Sequence, residues 1–242
     1  MKKTAVKILF YLSLLATLVF ILSGYGYQWG IWELGMGFTL LRYGAFTAIG
    51  LLIIQTGFFF FMKEAGFKLK AMVLTGFLLT LMVAATAIYW QYKAGSVPAI
   101  HDITTDLQAP PEFVAMVRLR QGAPNPPEYA GEETAEQQRS AYPDIQPLVV
   151  SAPEQEVIDE IVSLIAERKW DIVSINRQEG RVEATEKLAW YGFKDDVVFR
   201  VTETNEGTRV DMRSKSRVGG SDIGVNADRI RKFFDDLEAE FS

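Results

Sequence analysis

Residues 197–214, VVFRVTETNEGTRVDMRS, decide the fold of the C-terminal part of the chain. Val197–Thr204 reads as a strand, Asn205-Glu206-Gly207 as a hairpin turn, and Thr208–Ser214 as the returning strand. Working back, Val182–Leu188 is a further strand. Trp170–Ile175 is another, alternating Trp170, Ile172 and Ser174 against Asp171, Val173 and Ile175, with Gln178-Glu179-Gly180 as the turn between the two. Upstream, Val157, Ile158, Ile161, Leu164 and Ile165 make one apolar helix face, which ends near Lys169. Ser151-Ala152-Pro153-Glu154 has the spacing of a capping box for that helix.

Working forward, a glycine-rich loop from Val218 to Val225 leads into a last helix. Asn226 is its expected cap, Asp228 suits its positive end, and Ile230, Phe233, Leu237 and Phe241 are its buried stripe. The order helix, four strands, helix predicts an α+β fold: a mainly antiparallel four-stranded sheet packed by two helices on one face. This core is assigned to residues 151–242.

All nine prolines lie between Pro98 and Pro153. Proline fixes its own backbone and pushes its predecessor out of the helical region. Residues 93–150 are therefore expected to form an extended lead-in, with a mobile loop over 118–138, where apolar residues are few.

Residues 1–92 differ in kind. They carry seven Lys/Arg and two Asp/Glu, against 18 and 28 in the remaining 150 residues, so the two parts are net +5 and −10. Three apolar runs, Ile8–Ser23, Met36–Met62 and Ala71–Trp90, approach or exceed the ~20 residues that a membrane-crossing helix needs. Residues 1–92 are read as a three-helix transmembrane region. Lys2, Lys3 and Lys7 precede the first run, and Lys63, Lys68 and Lys70 fill the loop between the second and third. The positive-inside rule then puts the N-terminus and that loop in the cytoplasm, with everything after Gln91 outside. Tyr25, Tyr27, Trp29 and Trp32, and again Tyr89, Trp90 and Tyr92, mark the outer headgroup level. Gly24-Tyr25-Gly26 is a poor cleavage site, so the first run is read as an uncleaved anchor. Arg42 is placed near the outer boundary, where it can snorkel, and Gly26-x-x-x-Gly30 in an outer loop.

There is no cysteine, which excludes disulfides, thiolate metal sites and cysteine nucleophiles. No nucleotide-loop, serine-hydrolase or zinc-protease motif is present. The −10 charge of the outer part argues against nucleic acid as a partner. His101 is the only histidine and stands beside Asp102 and near Asp106. These three are the catalytic candidates, as general base or metal ligand. One histidine and two oxygens make an incomplete zinc set, and the other reading is a loop whose side chains bond its own amides. Arg213, Lys215 and Arg217 are spaced by two and share one side of an extended chain, just ahead of Ser221, Asp222 and a helix start. They are the ligand-binding candidates, for a phosphate, lipid headgroup or carboxylate. The competing reading makes them cations paired with Asp195, Asp196, Asp211 and Asp222. Trp190-Tyr191-Gly192-Phe193 is expected to close the sheet–helix core.

The stretches PAIHDITTD (98–106), Pro110-Pro111, AYPDIQP (141–147), EATEKLAWYGFKDDVVFR (183–200) and RVDMRSKSRVGGSDIGVNADRIRKF (209–233) resemble the DUF1499 family, a domain of unknown function. The last stretch is the most specific, and the resemblance covers about residues 96–238. It implies a bacterial envelope protein, with relatives in plastids, and attaches no reaction. The spans are an addition found in some members. The combined expectation is an integral inner-membrane protein with a periplasmic domain. That domain is expected to bind a small anionic ligand, lipid headgroup or partner protein without a cofactor or metal, and to be non-enzymatic. The alternatives are a hydrolase or metal-dependent enzyme using His101 with Asp102, Asp106 or Asp222, and an accessory subunit of a membrane complex.

Overall fold

The computed structural model describes residues 2–59 and 65–242. Met62 and Lys63, used above to end the second span and to orient the chain, lie outside the described residues. The chain divides into two compact units: Met1–Lys93 with Trp190–Gly192, and Ala94–Ala189 with Phe193–Ser242.

The first unit is helical. Helices α1 (Lys2–Gln28), α2 (Leu34–Phe59) and α3 (Phe67–Ser96) are each long and apolar enough to cross a membrane. Their few polar side chains meet one another. Gln55 Nε2 of α2 donates to Ser13 Oγ of α1 at 2.6 Å, and Thr80 Oγ1 of α3 donates to Gln55 Oε1 at 3.2 Å, all three being buried. Such bonds fix how helices meet where apolar packing alone does not discriminate. Arg42 is exposed on α2. Gly26 belongs to the last turns of α1, not to a loop, and a Cβ there would sit 2.1 Å from the Trp32 ring. The aromatic cluster also differs from expectation. Trp190 Nε1 donates to Ile21 O at 2.8 Å and Tyr191 Oη to Ser23 Oγ at 3.2 Å, so both rings pack in the helical unit and not in a sheet–helix core.

The second unit is α+β. Its strands are β1 (Asp102–Thr104), β2 (Leu148–Val150), β3 (Asp171–Asn176), β4 (Arg181–Lys187), β5 (Lys194–Thr204) and β6 (Gly207–Ser216). All pairings are antiparallel, in the order β1-β6-β5-β4-β3, with β2 also on β6. The sheet thus has six strands, not four. The two additions are three-residue strands that borrow their register from β6 and are too short to carry a periodic signal.

Helices α5 (Glu154–Glu167) and α6 (Val225–Glu240) pack on one face of this sheet. Val157, Ile158, Ile161 and Ile165 of α5 and Ile230, Phe233 and Leu237 of α6 meet Val182, Ala184, Val197, Phe199, Val210 and Met212 there. The capping box at Ser151 does not form. Pro153 is the N-cap, without a side-chain bond, and its carbonyl takes the amides of Glu156 and Val157. Asn226 is not the cap of α6 either. Gly224 is, and Asp222 accepts the amides of Gly224 and Asn226 at 2.8 Å each. At the β3–β4 turn Gly180 has φ +57°, and a Cβ there would sit 2.1 Å from Val201 O, so no other residue fits without moving the sheet.

The segment expected to be an extended lead-in with a loop is partly helical. It holds a 3-10 helix at Met116–Arg120 and α4 at Glu132–Ala141. α4 buries only Ala135 and Gln138, which is why it lacks an apolar stripe. Gln138 Nε2 donates to Thr104 O at 2.6 Å and its Oε1 accepts Thr104 N at 3.1 Å, tying α4 to β1.

Candidate functional site

Side chains alternate across a strand, so β6 has two unlike faces. Val210 and Met212 enter the core beneath the helices. Asp211, Arg213 and Lys215 point the other way, opposite Arg200, Val198 and Asp196 of β5, and Thr104 and Asp102 of β1 continue the last two rows. Residues 106–130 cover this second face, with Phe113 and Met116 packed on Val198. The result is a charged layer buried under a proline-bearing strap.

Two carboxylates organise the layer. Asp102 takes Arg213 Nε at 2.8 Å and Nη2 at 2.9 Å, Lys215 Nζ at 3.0 Å and the Ala130 amide at 3.2 Å. Asp196 takes Arg120 Nη1 at 2.7 Å, Arg217 Nε and Nη2 at 2.8 Å each and Thr185 Oγ1 at 2.7 Å. Four cations therefore share two carboxylates. Their remaining donors go largely to strap and strand carbonyls. Arg213 reaches Pro111 O and Pro127 O, Lys215 reaches Glu128 O, and Arg217 reaches Leu119 O. Arg120 reaches Asn125 O and Ser216 O, while its buried Nε has no acceptor among the described residues. Burial lowers the pKa of Lys215, opposed by Asp102. Burial also raises the Tyr129 phenol to about 12.

The structure thus brings Arg213 and Lys215 together on Asp102 and Arg217 onto Asp196, and turns all three to hold the strap. Of the acidic partners expected for the row, Asp196 pairs with it. Asp195 instead binds Arg229, and Asp211 binds Arg200 and Arg209. Asp222 makes no ion pair among the described residues and serves α6, its pKa raised by burial against the two amide bonds. Its carboxylate therefore occupies the anion position that a glycine-rich helix start provides. Ser221 Oγ accepts the Ile223 amide at 3.2 Å in the same turn.

His101 lies beside this loop. Its carbonyl accepts Ser216 N at 3.0 Å and Asn226 Nδ2 at 3.1 Å, and Asp222 N donates to Ile100 O at 3.0 Å. The His101 and 213–224 loops are therefore adjacent, but the carboxylates near them are engaged elsewhere. Asp106 is apart, in a turn that accepts the Gln108 and Ala109 amides and binds Arg200 and Arg209. Burial pushes its carboxyl up, and those amides with Arg200 bring it below the usual value. Among the described residues no three His, Asp or Glu side chains gather as a metal-ligand set.

His101 gives a pH prediction. Burial, then Lys215, hold its pKa below the ordinary 6.5, so the folded protein keeps it neutral. As pH falls below 6.5 the unfolded chain takes up a proton that the folded chain refuses, and stability is lost. The His101→Asn variant is expected to lose less than wild type over that interval, while Asp222, whose pKa is raised, acts oppositely and equally in both. Parallel stability–pH curves for the two proteins would refute it.

Several residues of the layer escape sequence reading. Arg120 and Glu183 come from distant segments, and Glu183 accepts the amides of Val114, Ala115 and Met116. The only signal for Glu183 is its place between the two apolar residues of its strand, Val182 and Ala184. Arg229 reaches Asp195 and Glu186 from α6, on the helix-covered face.

Residues 102–237 match the family described as "Protein of unknown function (DUF1499)". The chain belongs to the DUF1499 family. The match begins at Asp102, spans β1, β5 and β6 and ends within α6 at Leu237, so the layer lies inside the DUF1499 domain. No curated protein matches the chain.

Proposed function

We propose that this DUF1499 member is an integral inner-membrane protein whose second unit is a periplasmic binding module for a small anionic ligand, lipid headgroup or partner protein, with no catalytic role. The observation that carries the reading is the charged sheet face, where four cations share two carboxylates and a buried guanidinium nitrogen lacks an acceptor among the described residues. At these two carboxylates the cations outnumber the anions, which favours an anion over a cation or a neutral molecule there. The three apolar helices fit a membrane anchor. The basic residues beside α1 and α3 support a cytoplasmic N-terminus.

Two measurements test this. In a chain without native cysteine, Ser151→Cys is expected to label with an impermeant thiol reagent on intact cells, and Ala65→Cys only after permeabilisation. The reverse pattern overturns the orientation. Full-length protein in phosphatidylcholine nanodiscs is expected to bind inorganic phosphate or benzoate saturably and benzamide not at all. Equal uptake of benzamide, or no uptake of either anion, would remove the anion reading.

A further inference from the structure

The charged face continues beyond the clamp just described into a cleft of about 500 Å³, within the range of small-molecule sites. Residues 108–112 and Val114 form one wall, and Val198, Arg181 and Arg200 lie across from it. The wall is held without a ligand. Asp106 accepts its first two amides, Arg200 Nη1 donates to Ala109 O at 2.9 Å, Pro110-Pro111 fix their own backbone, and Glu183 holds Val114 N at 3.1 Å.

The two arginines differ in what they have left to give. Arg200 is engaged by Ala109 O, Asp106 and Asp211. Arg181 makes one hydrogen bond among the described residues, from Nη1 to Glu179. Its Nε is buried with no acceptor in hydrogen-bonding geometry, although Glu183 Oε1 is 3.3 Å away, and its Nη2 is uncommitted. The Arg181 side chain is 19% exposed and ion-paired to Glu179 and Glu183, and its remaining Nη2 donor beside the buried Nε is matched by a carboxylate or phosphate oxygen pair. Glu112 and Glu179 on the rim repel a multiply charged anion more strongly than a singly charged one, which favours a single negative charge. Pro110 and Val114 offer an apolar surface beside it.

We infer that this cleft is the ligand site of the domain and takes a singly charged oxyanion, a carboxylate or phosphodiester, carried on an apolar body, with Arg181 as its grip. The inference rests on the anion-binding reading above and gives it a place and a chemical class. The test is calorimetric titration of the full chain in phosphatidylcholine nanodiscs with benzoate, acetate and inorganic phosphate. Benzoate is expected to bind best. Arg181→Gln should weaken it at least about tenfold, since a hydrogen bond to a charged group is lost. Val114→Asp, at an exposed position, should do the same without touching the layer, and Arg118→Gln, outside the cleft, should change nothing. Competition from added phosphatidylglycerol would identify a lipid phosphodiester as the source, and its absence a free acid. Benzoate binding that survives both cleft variants overturns the cleft. Phosphate binding that depends on Lys215 and not on Arg181 overturns the cleft while leaving the broader reading standing. Failure of every anion to bind overturns both.

Discussion

Replacing Asp102 by Asn is expected to cost about 3–5 kcal/mol, the range for breaking a buried ion pair by removing one partner. Asp102 is fully buried, and Arg213 and Lys215 are 1% exposed. The amide keeps the size of the side chain but removes the charge that both cations face. It also puts an N–H₂ group where an acceptor is needed. Neither cation can move to water, because Arg213 is held by Pro111 O and Pro127 O and Lys215 by Glu128 O. Against a total stability of ~5–15 kcal/mol, the variant is marginal, with a melting temperature lower by roughly 10 °C. Thermal unfolding of the full chain in micelles measures this. The Asp102→Asn, Lys215→Met double variant should recover part of the loss, with a coupling above about 1 kcal/mol, because one uncompensated charge leaves the layer. A single-variant cost below about 1 kcal/mol would mean that water reaches Asp102 and that the layer is not a clamp.

What the sequence reveals and what it hides divide along physical lines. The three N-terminal helices are legible because each is a long apolar run, and β3 to β6 because each strand has enough residues for its edges and turns to be read. α5 and α6 are legible because each buries one apolar stripe. β1 and β2 are not, because three residues carry no period and their pairing is set by β6 from far along the chain. α4 is invisible for a different reason: its attachment is polar, through Gln138. The spacing of Arg213, Lys215 and Arg217 does predict a common side. Whether that side meets solvent or a strap depends on where residues 106–130 fold back, and spacing holds no record of that. Trp190 and Tyr191 show the same limit, since aromatic content marks burial without naming the surface that buries it.

Residues of the charged layer, Asp102, Asp196, Arg213 and Arg217 among them, fall inside the DUF1499 match and serve one another first. A shared polar pattern is therefore as expected of a buried clamp as of a catalytic site, and Arg181, beside the clamp, is the better place to look for a ligand.

Glu183→Ala is the second large effect, and it separates strap from sheet. The Glu183 side chain is fully buried, and its oxygens accept Val114 N at 3.1 Å, Ala115 N at 2.9 Å and Met116 N at 2.8 Å. These amides open the 3-10 helix, whose first turn has no internal partners for them. Each buried donor left without an acceptor costs about 1–3 kcal/mol, and water can reach some of these, so about 2–4 kcal/mol is expected in all. The loss should be local first. With its anchor gone the 3-10 helix no longer positions Arg120, so the bond to Asp196 and the wall at Val114 loosen together. Helices α5 and α6, on the other face, keep their contacts. Hydrogen exchange of the full chain in micelles should show amides of residues 106–130 exchanging at least about tenfold faster, the equivalent of 1.4 kcal/mol of local opening, with α5 and α6 unchanged. Acceleration spread evenly over strap, sheet and helices would show instead that the strap and the core open as one unit. In that case the clamp would be part of the global fold rather than a separable cover on the charged face.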